Sequence, residues 1–132
     1  MAAKPKNTIK ETDLYAPVKS YFTAQGFQVK GEVGAADLVA VKFADGDAAE
    51  PVIVELKTSF TLSLFHQAIT RQSMTDDVYI CAPHKPGKLA LRSLRKNKML
   101  ARRLGLGLMT VRLPEGRVIV HCEPAPFTPR KI

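Results

Sequence analysis

The chain has 132 residues, of which 45% are hydrophobic and 24% are charged. This length supports one domain with a hydrophobic core and is too short for two. No apolar run approaches the length that crosses a bilayer, and the leader Met1–Lys6 lacks the apolar core of a secretory signal, so a cytoplasmic location is expected. Cys81 and Cys122 lie in apolar, strand-like runs, which favours reduced core cysteines over a disulfide or a ligand pair.

Residues 1–7 are predicted to be a disordered basic leader. A first helix is predicted over Ile9–Gln25, because apolar residues recur there at helical spacing and Gly26 would end it. Pro17 lies inside this pattern. A kink, or a later start near Asp13, is therefore an alternative.

Strands and a polar loop are predicted next. Short apolar and β-branched runs indicate strands over Phe27–Lys30, Ala36–Phe43 and Val52–Lys57. Residues 44–50 form a polar hairpin loop between the second and third of these strands. Its Asp45-Gly46-Asp47 run is typical of a plain turn, because it lacks the glutamate and the length of an EF-hand calcium loop.

The second half of the chain adds helices on a continuing sheet. Thr61 or Ser63 is expected to cap a second helix that extends to about Met74. The elements predicted after it are a strand over Val78–Cys81, a basic helix over Lys88–Leu104 ended by Gly105, and a hairpin of Leu108–Leu113 and Arg117–Cys122. The order αβββαβαββ predicts an α/β fold, in which a central mixed sheet is flanked by helices in one domain over 8–123. Residues 124–132 are predicted to be an extended, proline-rich tail.

Positive charge is concentrated in one segment. The formal net charge is +8, and no acidic residue occurs between Val78 and Pro114. Such a concentration indicates a polyanionic partner, with a solvated helix face as the alternative. The residues predicted to contact nucleic acid on this helix are Lys88, Arg92, Arg95, Lys96, Arg102 and Arg103.

Charged residues also interrupt two strands that are otherwise apolar. Glu55 and Lys57 share a face of the third strand by its period of two, and a hairpin partner could bring Asp37 beside them. Burying these charges is costly unless they pair or bind a metal. Two carboxylates are suitable ligands for Mg²⁺ or Mn²⁺. The alternative to a metal site is that the three residues form a surface ion pair at a strand end.

This arrangement of Asp37 followed by Glu55-Leu56-Lys57 on the next strand resembles the PD-(D/E)XK nuclease superfamily, although Ala36 stands where that signature has proline. The resemblance extends over Glu11–Cys81 and implies a restriction-endonuclease-like αβββαβ core, with an extra basic helix and a C-terminal β-hairpin added here. It also implies a hydrolase that cuts phosphodiester bonds of DNA with Mg²⁺ or Mn²⁺. Asp37, Glu55 and the Leu56 carbonyl would hold the metal, and Lys57 would activate or position the water.

Residues on the two flanking helices complete the predicted site. Thr8-Ile9-Lys10-Glu11 fits a capping box, but Glu11 also prolongs the buried stripe of the first helix. By resemblance to Holliday-junction resolvases and virus-type replication-repair nucleases, Glu11 would join the metal site. Gln67 on the second helix would reach the site by resemblance to exonuclease-like members, and Arg71, one turn later, would contact substrate phosphate.

A closer resemblance is to a bacterial family of PD-(D/E)XK phosphodiesterases of unknown function. The segments that carry it are 11–19, 37–41, 52–57, 67–72 and 124–131. Members often continue beyond the point where this chain stops, and many superfamily nucleases are homodimers, although no dimer face stands out here.

The sequence leaves three functions to be separated. The leading hypothesis is a metal-dependent nuclease. The second is a catalytically silent nucleic-acid-binding module on the same fold, and the third is an interaction domain whose basic helix docks on an acidic protein. The form of the nucleic acid, endonuclease or exonuclease action, and the use of one metal or two stay open.

Overall fold

The structure of the protein, a computed structural model, describes residues 8–31 and 37–126, with Asp37 described by its backbone alone. The predicted leader over 1–7, the predicted start of the second strand at Ala36 and the end of the predicted tail lie outside these residues. The helices are α1 Thr12–Thr23, α2 Leu62–Arg71 and α3 Lys88–Leu104. The strands are β1 Gln28–Gly31, β2 Asp37–Val41, β3 Phe43–Ala44, β4 Asp47–Ala48, β5 Val52–Leu56, β6 Val78–Pro83, β7 Gly107–Arg112 and β8 Arg117–Cys122.

Six of these strands form one mixed sheet in the order β1-β2-β5-β6-β7-β8. The pairs β1/β2, β2/β5 and β7/β8 are antiparallel, whereas β5/β6 and β6/β7 are parallel. Parallel neighbours need a crossover, and α2 and α3 supply the two crossovers between β5, β6 and β7. The predicted α/β class with a mixed sheet is confirmed.

Side chains alternate between two cores, one on each face of the sheet. On one face, Leu14, Val18 and Phe22 of α1 pack with Val54 and Leu56 of the central strand β5. On the other face, residues of α2 and α3 pack against the strand residues whose side chains point away from α1. That second core includes Ile53, Leu64, Phe65, Ala68, Ile80 and Ala101. All of β5 is buried, which explains its continuous apolar run and makes its single charged residue conspicuous.

Local signals decide how the helices begin. α1 begins at Thr12, later than the predicted start at Ile9 and close to the alternative start at Asp13. The Asp13 carboxylate accepts a hydrogen bond from the Lys10 amide at 2.8 Å. The α2 cap is Thr61, whose hydroxyl accepts a hydrogen bond from the Leu64 amide at 3.2 Å.

The loop predicted over 44–50 contains structure of its own. β3 and β4 form a separate two-stranded ribbon, so the predicted second strand ends early, at Val41. Asp45 and Gly46 have φ angles of 54° and 83°. Positive φ at both central residues is what a type I′ two-residue hairpin turn requires, and the Asp-Gly pair meets that requirement.

No helix within the described part of the chain is both long and apolar enough to cross a membrane.

Candidate functional site

The candidate site lies at the carboxyl end of β5, where Glu55 is almost fully buried, with 2% of its surface exposed. The β2/β5 register places Asp37 directly opposite Glu55. Residues directly opposite each other in an antiparallel pair lie on the same face of the sheet. Two carboxylate-bearing positions are therefore neighbours, as the sequence predicted. The Asp37 side chain lies outside the part of the chain that the structure describes.

Arg71, the last residue of α2, pairs with Glu55. Its Nε donates to Oε1 of Glu55 at 2.8 Å. The guanidinium compensates a carboxylate that would otherwise be costly to bury. Arg71 was predicted to contact substrate phosphate, and in this structure it contacts a predicted metal ligand. Gln67 lies one turn earlier on α2 and is exposed, so its approach to the carboxylates stays a prediction.

Lys57 and Glu11 form a second contact at this end of the sheet. Lys57 Nζ lies 3.4 Å from Oε1 of Glu11, with side chains 33% and 34% exposed. Lys57 follows β5 directly, and its amide donates to the Cys81 carbonyl at 3.0 Å, which continues the pairing with β6. Glu11 is the N-cap residue of α1, and its own side chain makes no capping hydrogen bond. Glu11 was predicted to join the metal site, and its contact with Lys57 brings its carboxylate to this end of the sheet. Its role as a metal ligand stays a prediction.

The strand period predicts that Glu55 and Lys57 share a face, but their partners lie on helices of opposite faces. α2 packs in the same core as Ile53, whereas α1 packs in the core that contains Val54. Lys57 lies beyond the last residue of β5, where a long side chain can pass around the end of the sheet. Carboxylates from two layers thus lie at one sheet end, and each is paired with a basic residue, Glu11 with Lys57 and Glu55 with Arg71.

A metal at this site would draw on Asp37, Glu55, Glu11 and the Leu56 carbonyl. Among the described side chains, no group of three or more His, Cys, Asp or Glu residues is arranged to hold a metal ion. That set does not include the Asp37 side chain. Glu55 and the carbonyl of its neighbour Leu56 offer hard oxygen atoms of the type that Mg²⁺ and Mn²⁺ prefer.

The basic helix α3 has the bounds that the sequence predicted, Lys88–Leu104, and ends at Gly105 with a left-handed φ of 73°. Its predicted nucleic-acid contacts are all exposed, namely Lys88, Arg92, Arg95, Lys96, Arg102 and Arg103. Sequence reasoning missed that apolar residues share this surface. The exposed apolar residues of α3 are Leu89, Leu91, Met99 and Leu100.

A cavity of about 490 Å³ next to the site was also missed. Its lining comes from three stretches of the chain, namely residues 59–60 after β5, residues 82–97 from the end of β6 into α3, and Thr110 of β7. Thr110 is 2% exposed, and its hydroxyl lies 2.8 Å from Nε2 of His121. Burial lowers the pKa of His121, and the nearby charges of Lys98 and His84 lower it further.

No family model matches this chain. No curated protein is significantly similar to it. The resemblance to PD-(D/E)XK nucleases therefore stays a prediction, and the functional argument depends on the residues themselves.

Proposed function

We propose that this protein is a Mg²⁺- or Mn²⁺-dependent nuclease that hydrolyses phosphodiester bonds of DNA. The observation that supports it best is the register of β2 and β5, which sets Asp37 opposite the buried Glu55 two residues before Lys57. A buried carboxylate beside a second acidic position is costly for stability, so it favours a chemical role.

The proposed fold is the restriction-endonuclease-like core. The order α1, β1, β2, β5, α2, β6 supports it, since it repeats helix, three strands, helix, strand. The short β3–β4 ribbon is then an insertion between the second and third core strands. α3 and the β7–β8 hairpin extend the core on the β6 side.

In this proposal Asp37 and Glu55 would hold a metal, with the Leu56 carbonyl and Glu11 as further ligands. Such a metal would supply a water of lowered pKa and charge neutralisation for the phosphate. Lys57 would orient the water or the scissile phosphate, and its contact with Glu11 keeps its ammonium at the sheet end. Arg71 lowers the cost of the buried Glu55 carboxylate. Gln67, on the same helix as Arg71, would reach back to orient the site.

The exposed basic residues of α3 would bind phosphates without reading bases. The expected binding is strongly dependent on salt and tolerant of sequence. We also propose that the protein acts in the cytoplasm, where its two buried cysteines, Cys81 and Cys122, stay as free thiols.

The test is cleavage of end-labelled single-stranded, duplex, flapped and four-way-junction DNA in Mg²⁺ or Mn²⁺, with EDTA as the metal-free control. Asp37→Asn should lose cutting by a factor of about 100 or more. Asp45→Asn is the matched control, because Asp45 lies in the exposed β3–β4 turn and asparagine accepts its positive φ of 54°. Equal cutting by the two variants would contradict the proposal.

A second function, a catalytically silent nucleic-acid-binding module, is favoured by the exposed basic residues of α3 alone. Lys57→Ala separates the two, because it should abolish cutting under the first function and leave DNA affinity nearly unchanged under both. Tight, salt-sensitive binding with no cutting on any substrate would support the binding module. Weak DNA binding even at low salt would instead support an acidic protein partner for α3.

A further inference from the structure

The cavity of about 490 Å³ lies beside the end of β5 that carries the proposed site. The amide of Lys57 donates to the Cys81 carbonyl at 3.0 Å, and the next residue of β6, Ala82, lines the cavity. Ala82 pairs with Thr110 of β7, which also lines it. Ser59, two residues after Lys57 in the chain, also lines the cavity. The cavity and the carboxylates thus share one end of the sheet.

The lining suits a flat, partly polar group. Phe60 offers an aromatic ring, and Leu89 and Leu94 add apolar surface from α3. Ser59 and Asn97 provide hydrogen-bonding groups in the same lining. An apolar pocket with a few placed polar groups is the usual form of a small-molecule or nucleobase site.

The surroundings of the cavity are basic. Lys85 lines it and is exposed, and Lys88 and Arg92 lie on the helix that forms one wall. A group that enters the cavity while attached to a polyanion would therefore place its phosphates against positive charge. This complementarity favours a nucleotide over a neutral or cationic ligand.

We propose that this cavity binds one unstacked nucleobase of a single-stranded or unpaired segment and so positions the adjoining phosphodiester at the Glu55–Lys57 end of the sheet. The inference rests on the proposed nuclease function for the role of the site, but base binding can be measured without cleavage. Paired bases stacked inside a duplex cannot enter a cavity of this kind without being extruded. The preferred substrate class is therefore single-stranded, flapped or frayed DNA.

The experiment measures binding of fluorescein-labelled DNA by anisotropy in EDTA, so that cutting does not interfere. The probes are a short single strand, the same strand with abasic residues that keep every phosphate, and a blunt duplex of the same sequence. Base contacts by stacking are expected to make the intact strand bind about tenfold more tightly than the abasic strand.

A variant that fills the cavity provides the decisive comparison. Ala90→Met/Ser93→Met adds two flexible side chains to the α3 wall. The matched control is Ala16→Met/Ser20→Met, at two exposed positions of α1 with a similar spacing on the other face of the sheet. The cavity variant should bind intact and abasic strands equally, with abasic affinity unchanged, while the control keeps the tenfold preference. Thermal unfolding of both variants confirms that each is folded.

The outcomes separate this inference from the proposed function. If wild-type protein binds intact and abasic strands equally, or if the cavity variant keeps the preference, the cavity does not bind a base. DNA that is still cut in either case leaves the nuclease proposal standing. Base-dependent binding that the cavity variant loses supports the inference even if no substrate is cut, in which case the nuclease proposal fails alone.

Discussion

The Nε atom of Arg71 lies 2.8 Å from Oε1 of Glu55, and this ion pair joins the end of α2 to the central strand β5. Glu55 is 2% exposed, whereas the Arg71 side chain is 40% exposed. The carboxylate has therefore left water almost completely, while its partner remains partly hydrated. Removing the arginine should cost more than removing an ordinary surface charge, because the carboxylate would stay buried with less compensation.

We predict that Arg71→Met lowers the free energy of unfolding by about 1–3 kcal/mol. Urea denaturation at pH 7.5 measures it. Arg95→Met is the matched control on the exposed surface of α3 and should change stability by less than about 0.5 kcal/mol. A loss at Arg71 no larger than the loss at Arg95 would contradict the argument. Glu55→Gln in the Arg71→Met background should recover part of the loss, since no buried charge then remains at that position.

Charge on α3 is predicted to set the salt dependence of DNA binding. Arg92, Lys96 and Arg103 are exposed and share one side of the helix by their spacing. Replacing all three with glutamine should weaken binding to every DNA sequence alike and reduce the slope of log affinity against log salt by about 2–3. The same change at Lys10, Lys19 and Lys30 is the control, because these exposed lysines lie outside α3. Equal changes in slope would assign binding to overall charge instead of α3.

A close approach between β6 and β7 predicts that Gly107→Ala is destabilising. A Cβ atom at Gly107 would lie 2.5 Å from Cδ1 of Tyr79 and 2.9 Å from Cδ of Pro124. Tyr79 is buried and donates a hydrogen bond to the Glu123 carboxylate, so its ring has little freedom to move. We expect a loss of about 1–3 kcal/mol in urea denaturation. The same substitution in a Tyr79→Ala background should cost clearly less, and an unchanged cost would place the strain elsewhere.

The lowered pKa of His121 leads us to expect a decrease in stability at mildly acidic pH. Burial first, and then Lys98 and His84, hold the pKa of the folded-state imidazole below the ordinary value of 6.5. The unfolded chain therefore binds a proton that the folded chain resists. This contribution to stability is complete above about pH 6.5 and is lost as the pH falls through the lower folded-state pKa.

Thermal unfolding at pH 7.5 and pH 5.0 tests this prediction. His121→Gln should reduce the difference between the two pH values, because glutamine does not titrate. His66→Gln, at an exposed position on α2, should leave the difference nearly as in the wild type. If the two variants have the same pH dependence, His121 does not carry the effect.

Local patterns determined most of the secondary structure. The bounds of α3 agree with prediction because its helical pattern is long and Gly105 supplies a left-handed C-cap. β5 was recognisable because a buried strand between parallel and antiparallel neighbours needs a continuous apolar run. The sequence also indicated that Asp37 and Glu55 are neighbours across two strands, because the short β2–β5 connection makes those strands antiparallel. In each case the deciding interactions lie within one element or between elements that are close in the chain.

Tertiary structure decided which partners the charged residues take. Glu11 has a capping-box sequence around it, yet it lies beside Lys57, which is distant in the chain. Arg71 shares a helix with Gln67, but only the packing of α2 on the sheet selects the arginine for Glu55. The cavity beside Lys57 exists because three segments separated in sequence meet over β6 and β7. Periodicity fixes which face of its own element a side chain occupies, whereas its neighbours across elements depend on sheet order and helix packing, and these are properties of the whole chain.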